Sequence, residues 1–262
     1  MTNETDTART VSFGFEEVSP DEKVNRVKGV FRSVASRYDV MNDLMSAGVH
    51  RLWKHDTIAK LNPQPGERLI DVAGGTGDLA KAFIDRADKA ARRRGKSAEA
   101  SAVVCDINDS MLNAGRARSD MSAYENRIGW VCGDAQALPF DDRSCDALTI
   151  AFGIRNVADR DAALSEFRRV LKPGGRLAVL EFSHMTVPML QKLYDTYSFN
   201  VIPRMGELVA SDRESYQYLV ESIRKFPEQE LFREEVEAAG FSSVSVTNFS
   251  GGIAALHFGW AA

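Results

Sequence analysis

Three aspartates in this sequence each stand at the end of a short apolar run, just before a turn. Asp71 lies in Arg68-Leu69-Ile70-Asp71-Val72-Ala73, Asp106 precedes Ile107 at the end of the run that begins at Ala102, and Asp134 follows Ile128 to Cys132 in Gly133-Asp134-Ala135. Behind the first of them comes Gly74-Gly75-Thr76-Gly77-Asp78. A glycine turn between a strand and a helix leaves the backbone N–H groups of Gly75, Thr76 and Gly77 open to a ligand, because no side chain blocks close approach.

The turn alone does not choose the ligand. Gly75-Thr76-Gly77 followed by Ala80 satisfies the dinucleotide fingerprint, so a nicotinamide cofactor survives a first inspection. Two carboxylates argue against it. Asp78 falls in the first helical turn, where it would repel a docking pyrophosphate, and Asp71 is a second acid near the middle of the ligand. Acids suit a cation, and S-adenosylmethionine carries a sulfonium and an ammonium with no phosphate. Asp71 then faces the amino-acid moiety. Asp106, with Ile107 beside it, accepts from the ribose hydroxyls, and Asp134 takes the adenine amino group while Ala135 leaves room for the ring. The three strand ends would form one cleft at the carboxyl edge of a sheet.

The elements that must position these residues follow from periodicity. Strands are expected at Arg68 to Ala73, Ala102 to Ile107, Ile128 to Cys132, Cys145 to Phe152 and Arg176 to Phe182. Between them helical patterns begin at Asp78, at Asp109 and at Asp161, the last broken by Lys172-Pro173-Gly174-Gly175. Apolar strands alternating with helices specify a parallel sheet covered on both faces. Phe241 to Phe249 and Gly252 to Trp260 read as a closing hairpin behind an amphipathic helix from Glu228 to Ala239. Ahead of the sheet, apolar residues at helical spacing from Lys23 to Leu61 predict two or three helices, ended by Asn62-Pro63-Gln64-Pro65-Gly66. From His184 to Phe226 the strand rhythm stops and aromatic and methionine residues gather, as in an inserted helical cap. Residues 1–62 are thus a tail and helices that form part of a substrate cover, and 63–262 a core with the cap at about 184–227.

Composition excludes other classes. The 262 residues are 44% hydrophobic and 27% charged with a formal net charge of −4, so there is no global basic field and nucleic acid is not the expected partner. Cys105, Cys132 and Cys145 are odd in number and lack C-x-x-C spacing; they read as reduced core residues, with no metal site expected. Arg92-Arg93-Arg94-Gly95-Lys96 reads as a solvated helix end and loop. No apolar stretch approaches the ~20 residues of a spanning helix, and the first ten residues show no secretory signal, so a cytoplasmic protein is expected.

At this resolution the sequence resembles the class I methyltransferases, and more closely the ubiquinone/menaquinone biosynthesis C-methyltransferases. The resemblance rests on Tyr38 to Trp53 (YDVMNDLMSAGVHRLW), Asp71 to Asp78, Ala135 to Phe140 (AQALPF), Phe152 to Val157 (FGIRNV) and Arg169 to Ser183 (RVLKPGGRLAVLEFS), and it runs from about Phe13 to Trp260. It implies a Rossmann-like α/β fold with a mostly parallel seven-stranded sheet and an antiparallel C-terminal hairpin. Ala73 stands where the general motif has its first glycine, as this family usually writes it. Ala151 stands where the family often has serine, which removes one hydroxyl contact, and the loop between Asp85 and Ala102 is longer than usual.

The resemblance implies methyl transfer from S-adenosylmethionine to a ring carbon of a prenylated quinol in a bacterial quinone pathway, of the 2-methoxy-6-polyprenyl-1,4-benzoquinol type, the demethylmenaquinol type or both. Such a carbon is strongly nucleophilic once the neighbouring hydroxyl, with a pKa of about 10, has lost its proton. Arg155 is assigned phenolate stabilisation and orientation of a water, Asn156 a hydrogen bond, and Tyr38 closure over the ring. His50, His55 and His184 are candidate bases, and Asp78 a further organiser of the site. A lipophilic acceptor implies peripheral contact with the inner face of the cytoplasmic membrane, through Val49, Leu52 and Trp53 flanked by Arg51 and Lys54, or through Met185, Val187, Met189 and Leu190 beside Lys192. A homodimer or a quinone-biosynthesis complex is compatible with it. An N-methylating enzyme would show N-P-P-Y or D-P-P-Y after the fourth strand, where Ala151-Phe152-Gly153-Ile154 stands instead.

Overall fold

The computed structural model describes residues 10–34, 43, 46, 48–97, 99–187 and 213–262. The chain opens with a small hairpin, β1 (Val11–Phe13) and β2 (Glu16–Val18), which the sequence reading did not include. Strands of three residues are too short for alternation to show, and the turn depends on Gly14 at φ 59°. Helices α1 (Pro20–Val34) and α2 (His50–Leu61) follow, α1 beginning ahead of the expected start at Lys23 and α2 ending at the expected Leu61.

The core then alternates: β3 (Arg68–Val72), α3 (Asp78–Arg94), β4 (Ser101–Asp106), α4 (Asp109–Arg116), β5 (Ile128–Cys132), β6 (Cys145–Ala151), α5 (Arg160–Val170) and β7 (Leu171–Phe182). Helix α6 (Arg213–Lys225) and helix α7 (Gln229–Ala238) lead to β8 (Phe241–Phe249) and β9 (Ala254–Ala261). The large sheet has the order β5-β4-β3-β6-β7-β9-β8. Strands β3 to β7 pair in parallel, and β9 runs antiparallel to both β7 and β8. This is the seven-stranded arrangement expected.

Alternation within each strand sends side chains to two separate cores. On β3, Leu69 joins Trp53, Leu79, Phe83 and Tyr216 on one face, while Ile70 and Val72 join Leu164, Phe167, Phe232 and Val236 on the other. Both faces of the central strands are therefore sealed, which is why they read as unbroken apolar runs. Strand β7 starts earlier than expected: Leu171 pairs with Cys145, and pairing resumes only at Arg176 with Ala147. Lys172-Pro173-Gly174-Gly175 is thus a bulge in the strand edge as well as the end of α5. Cys105 and Cys145 are buried, but Cys132, at the end of edge strand β5, is exposed, which corrects its reading as a core residue. The arginine run closes α3 at Gly95, which adopts φ 63°, with Arg92, Arg93 and Arg94 exposed as expected. Among the described residues no helix is long and apolar enough to cross a membrane.

The strand order reverses beside β3, whose neighbours β4 and β6 connect in opposite directions. A crevice opens there beyond the carboxyl ends of the strands, and the loops after β3, β4, β5 and β6 meet in it.

Candidate active site

The turn after β3 is shaped by close backbone approach. Ala73, Gly75 and Gly77 all have positive φ, at 48°, 54° and 82°. A Cβ on Gly74 would lie 2.7 Å from Asp71 Oδ2. Only a glycine can therefore follow Ala73 with Asp71 in place. The turn is also held from the next strand: Asp106 Oδ2 accepts from the Gly75 N–H at 3.0 Å and its Oδ1 from the Asn108 N–H at 2.8 Å.

Burial dominates the electrostatics of these acids. Asp71 accepts from Thr149 Oγ1 at 2.6 Å through Oδ1, while its Oδ2 is buried without a partner. Desolvation pushes its carboxyl up to about 7, and that of Asp106 up to about 6. Asp134 Oδ1 accepts from the Gln136 N–H at 2.9 Å, and Gln136 Oε1 in turn accepts from the Asp159 N–H at 2.9 Å, the residue that caps α5. Ala135, beside Asp134, is buried.

These groups open into a single cleft. Of the residues singled out from sequence, Asp71, Gly75, Thr76, Asp106, Ile107, Asp134, Ala135 and Asn156 line it. Ala151 also lines it, presenting a methyl group where a serine would present a hydroxyl. Gly77 does not belong to the lining: a Cβ there would meet the Trp130 ring at 2.9 Å, so its glycine serves helix–sheet packing.

Arg155 is the main correction. Its guanidinium donates to Glu181 Oε1 at 2.5 Å and to the Phe152 carbonyl at 2.8 Å, with Nε 3.4 Å from Ser222 Oγ. Both side chains of the Arg155–Glu181 pair are 1% exposed, and Arg155 does not line the cleft. The charge expected to hold a phenolate is neutralised inside the core; its geometry supports the loop after β6 rather than a substrate. That loop is tightly built. Phe152 has φ 56°, and a Cβ on Gly153 would come 2.6 Å from that of Ala73, so the loops after β3 and β6 touch. Asn156, one residue beyond Arg155, accepts from the Tyr218 hydroxyl at 2.9 Å through Oδ1, and its Nδ2 is buried without a partner.

The histidines lie elsewhere. His50 Nε2 is 2.9 Å from Asp43, His55 Nδ1 is 3.2 Å from Asp56, and His184 Nε2 is 2.7 Å from the Phe226 carbonyl. None of the three is among the lining residues. Tyr38 lies outside the described residues, as do Met189, Leu190 and Lys192.

Two contributions come from the amino-terminal helices, which the sequence marks only as part of a substrate cover, with none of these residues assigned to the cleft. Val24, Val27, Lys28 and Phe31 of α1 form one wall of the cleft. Their i, i+3, i+4, i+7 spacing marked a helix face, but nothing in it said which surface the face covers. Lys54 of α2 also lines the cleft and pairs with Asp78 Oδ2 at 3.0 Å, while Arg118 holds Asp78 Oδ1 at 2.5 Å. Burial opposes the charge, yet these two cations hold the Asp78 carboxyl below its usual range. Compensated in this way, Asp78 repels a diphosphate far less than the sequence argument required, and the preference for a cation rests on Asp71. Of the residues named for a membrane contact, Lys54 is thus paired at the cleft and Trp53 is 3% exposed in the core.

The cleft fits S-adenosylmethionine. The unpartnered Asp71 Oδ2 suits a cationic group, Asp106 retains a free lone pair on each oxygen for ribose hydroxyls, and Asp134, Ala135 and Ile107 line the same cleft, where an acid and a small side chain suit an adenine ring. Comparison with known proteins agrees. A bacterial ubiquinone/menaquinone biosynthesis C-methyltransferase UbiE from Paracoccus denitrificans (strain Pd 1222) is 57% identical over 255 residues, 97% of this chain and 98% of that protein. One of the same name from Caulobacter vibrioides (strain NA1000 / CB15N) is 56% identical over 252 residues, 96% and 98% of the two chains. The fold matches a SAM dependent methyltransferase from Aquifex aeolicus with a TM-score of 0.56 at 12% identity, over 94% of this chain and all of the other. S-adenosylmethionine is accordingly the cofactor of this enzyme. Residues 4–261 match the ubiE/COQ5 methyltransferase family throughout, and the chain belongs to that family.

Proposed function

We propose that this methyltransferase acts on a ring carbon of a prenylated quinol, of the 2-methoxy-6-polyprenyl-1,4-benzoquinol type, the demethylmenaquinol type or both. The observation that carries the reading is that the acid-lined cofactor cradle and the apolar wall of α1 belong to one continuous cleft, with Asn156 beside them. Relatives that carry the quinone-biosynthesis name match nearly the whole chain.

Bound in this cleft, S-adenosylmethionine supplies an electrophilic methyl group on a sulfonium that leaves as a neutral thioether. The chain's own residues do the rest by alignment and by electrostatics. Val24, Val27, Phe31 and Phe152 present hydrocarbon to an aromatic ring and exclude water from it. Lys28 adds positive potential on the same wall, and Asn156 Nδ2 offers a donor to the oxygen whose negative charge activates the ring carbon. With His50, His55 and His184 outside the cleft, the hydroxyl proton passes to water or to a cleft carboxylate; once the methyl is bonded, the ring C–H bond at that carbon breaks, its electron pair restores the aromatic ring, its proton goes to water, and the oxygen is reprotonated.

The lipophilic tail remains in the bilayer, because each buried CH₂ is worth about 0.8 kcal/mol, and the protein meets the surface peripherally. Complementation tests the acceptor. A bacterial strain lacking its own quinone C-methyltransferase should regain methylated quinone when given this gene. Continued accumulation of the demethylated quinol, with the protein expressed and binding S-adenosylmethionine, would overturn the assignment.

A further inference from the structure

Tyr218 is a buried tyrosine on α6, far along the chain from any motif of the cofactor cradle. Its ring stacks on Phe13 of β1 with centroids 4.1 Å apart and planes 15° from parallel. Its hydroxyl lies 2.9 Å from Asn156 Oδ1. Burial raises the phenol above its ordinary range, so it keeps its proton and acts as a donor. A buried O–H that has to donate fixes which end of a neighbouring amide faces it, since only Oδ1 can accept. Asn156 Nδ2 is then left as a buried donor with no acceptor among the described residues, on a residue that is 8% exposed and lines the cleft. An unsatisfied buried N–H is costly, and sites of this kind are where an incoming ligand atom completes the network.

We propose that Tyr218 is a positioning residue for methyl transfer: its hydroxyl locks the Asn156 amide so that Nδ2 is the group offered to the acceptor's oxygen. The inference rests on the quinol assignment above. Asn156 touches the substrate and Tyr218 acts through it. The support is reinforced from behind, because Ser222, one helical turn after Tyr218 on α6, contacts Arg155 Nε at 3.4 Å. The whole Ile154–Asn156 turn is thereby held by α6.

A Tyr218→Phe variant removes the hydroxyl and keeps the ring stack. It should lower kcat about tenfold while leaving the quinol KM and the calorimetric Kd for S-adenosylmethionine within about twofold, because the lost interaction strengthens as the oxyanion develops. In an Asn156→Ala background the same substitution should change nothing further. Independent losses that multiply in the double variant, or a Tyr218→Phe enzyme with wild-type kcat, would overturn the proposal. A second readout needs no turnover. With isotope-labelled asparagine, the Asn156 side-chain amide signal, identified by its absence in Asn156→Ala, should be slow to exchange in the wild type and broadened in Tyr218→Phe; an unchanged signal would contradict the lock. If the phenylalanine variant does not fold, Asn156→Asp supplies the test, since a carboxylate still accepts from Tyr218 and has no proton to offer. Its kcat should then fall at least tenfold, and full activity would sink the proposal. A wild-type protein that binds S-adenosylmethionine yet methylates no quinol would instead remove the acceptor assignment on which this rests.

Discussion

Asp71 faces the cleft with one oxygen unpartnered and with Lys54, Asp78 and Asp106 close enough to act on it. Its carboxyl is pushed up to about 7, so near neutrality it is part protonated until a cation arrives. Affinity for S-adenosylmethionine should therefore tighten as pH rises through about 7. Calorimetry across that range should show the slope, and Asp71→Asn should bind more weakly and flatten it. The stability of the free protein runs the other way. A carboxyl whose folded pKa is raised contributes stability that is present below its unfolded pKa of about 3.9 and is lost as pH rises through the folded value. Asp71→Asn should flatten the fall in melting temperature between about pH 4 and about pH 7. A melting curve that rises over that window because of Asp71 would contradict the burial argument. The three strand-end acids were legible because each closes an apolar run just before a turn. Arg155 and Gly77 were misjudged for a shared reason. A cation or a glycine at a strand end looks the same in sequence whether its neighbour is a ligand or, as here, Glu181 and the Trp130 ring.

Helix α1 is anchored as a wall of the cleft. Lys23 Nζ donates to the Val157 carbonyl at 3.1 Å, tying the helix to the segment that follows Asn156. Burial, together with repulsion from Arg160, lowers this ammonium to about 8. The apolar residues Val24, Val27 and Phe31 on the same helix are then fixed over the cleft, where the proposed function places the acceptor. Phe31→Ala should raise the KM for quinol about tenfold, from the loss of roughly 1.5 kcal/mol of apolar contact, and leave the Kd for S-adenosylmethionine within about twofold. Steady-state kinetics with calorimetry checks this, and a matched loss in both would assign the wall to the cofactor. Strands β3 to β6 could be read to within a residue or so of their ends, because each is a short run rich in apolar residues bounded by turn residues, although only β3, β4 and β6 lie inside the sheet and β5 is its partly exposed edge. The β1–β2 hairpin could not, and neither could the early start of β7, since Leu171 joins the strand only by pairing with Cys145 across a bulge.

Across the whole molecule, the sheet order brings residues from four loops to one crevice, and alternation of strands with helices was enough to expect that crevice. Which helices cover it is a tertiary matter. No local pattern says that Lys54 meets Asp78 or that Tyr218 meets Asn156. With Trp53 and Lys54 turned inward, Leu52, at 62% exposure, and Arg51 are the exposed residues at the start of α2. Peripheral binding to anionic liposomes should therefore weaken in Leu52→Glu and persist in Lys54→Met, as measured by flotation. Equal binding by wild type and Leu52→Glu would place the contact elsewhere. The central claim concerns the bond that forms, and the most direct measurement is label transfer. Purified protein is incubated with S-adenosylmethionine bearing a deuterated methyl group and with a reduced prenylated quinol, and the product is fragmented by mass spectrometry. The cleft described here predicts an intact labelled methyl on a ring carbon, with both hydroxyls still free. A label on oxygen, or none in any quinol while S-adenosylmethionine is bound, would contradict it.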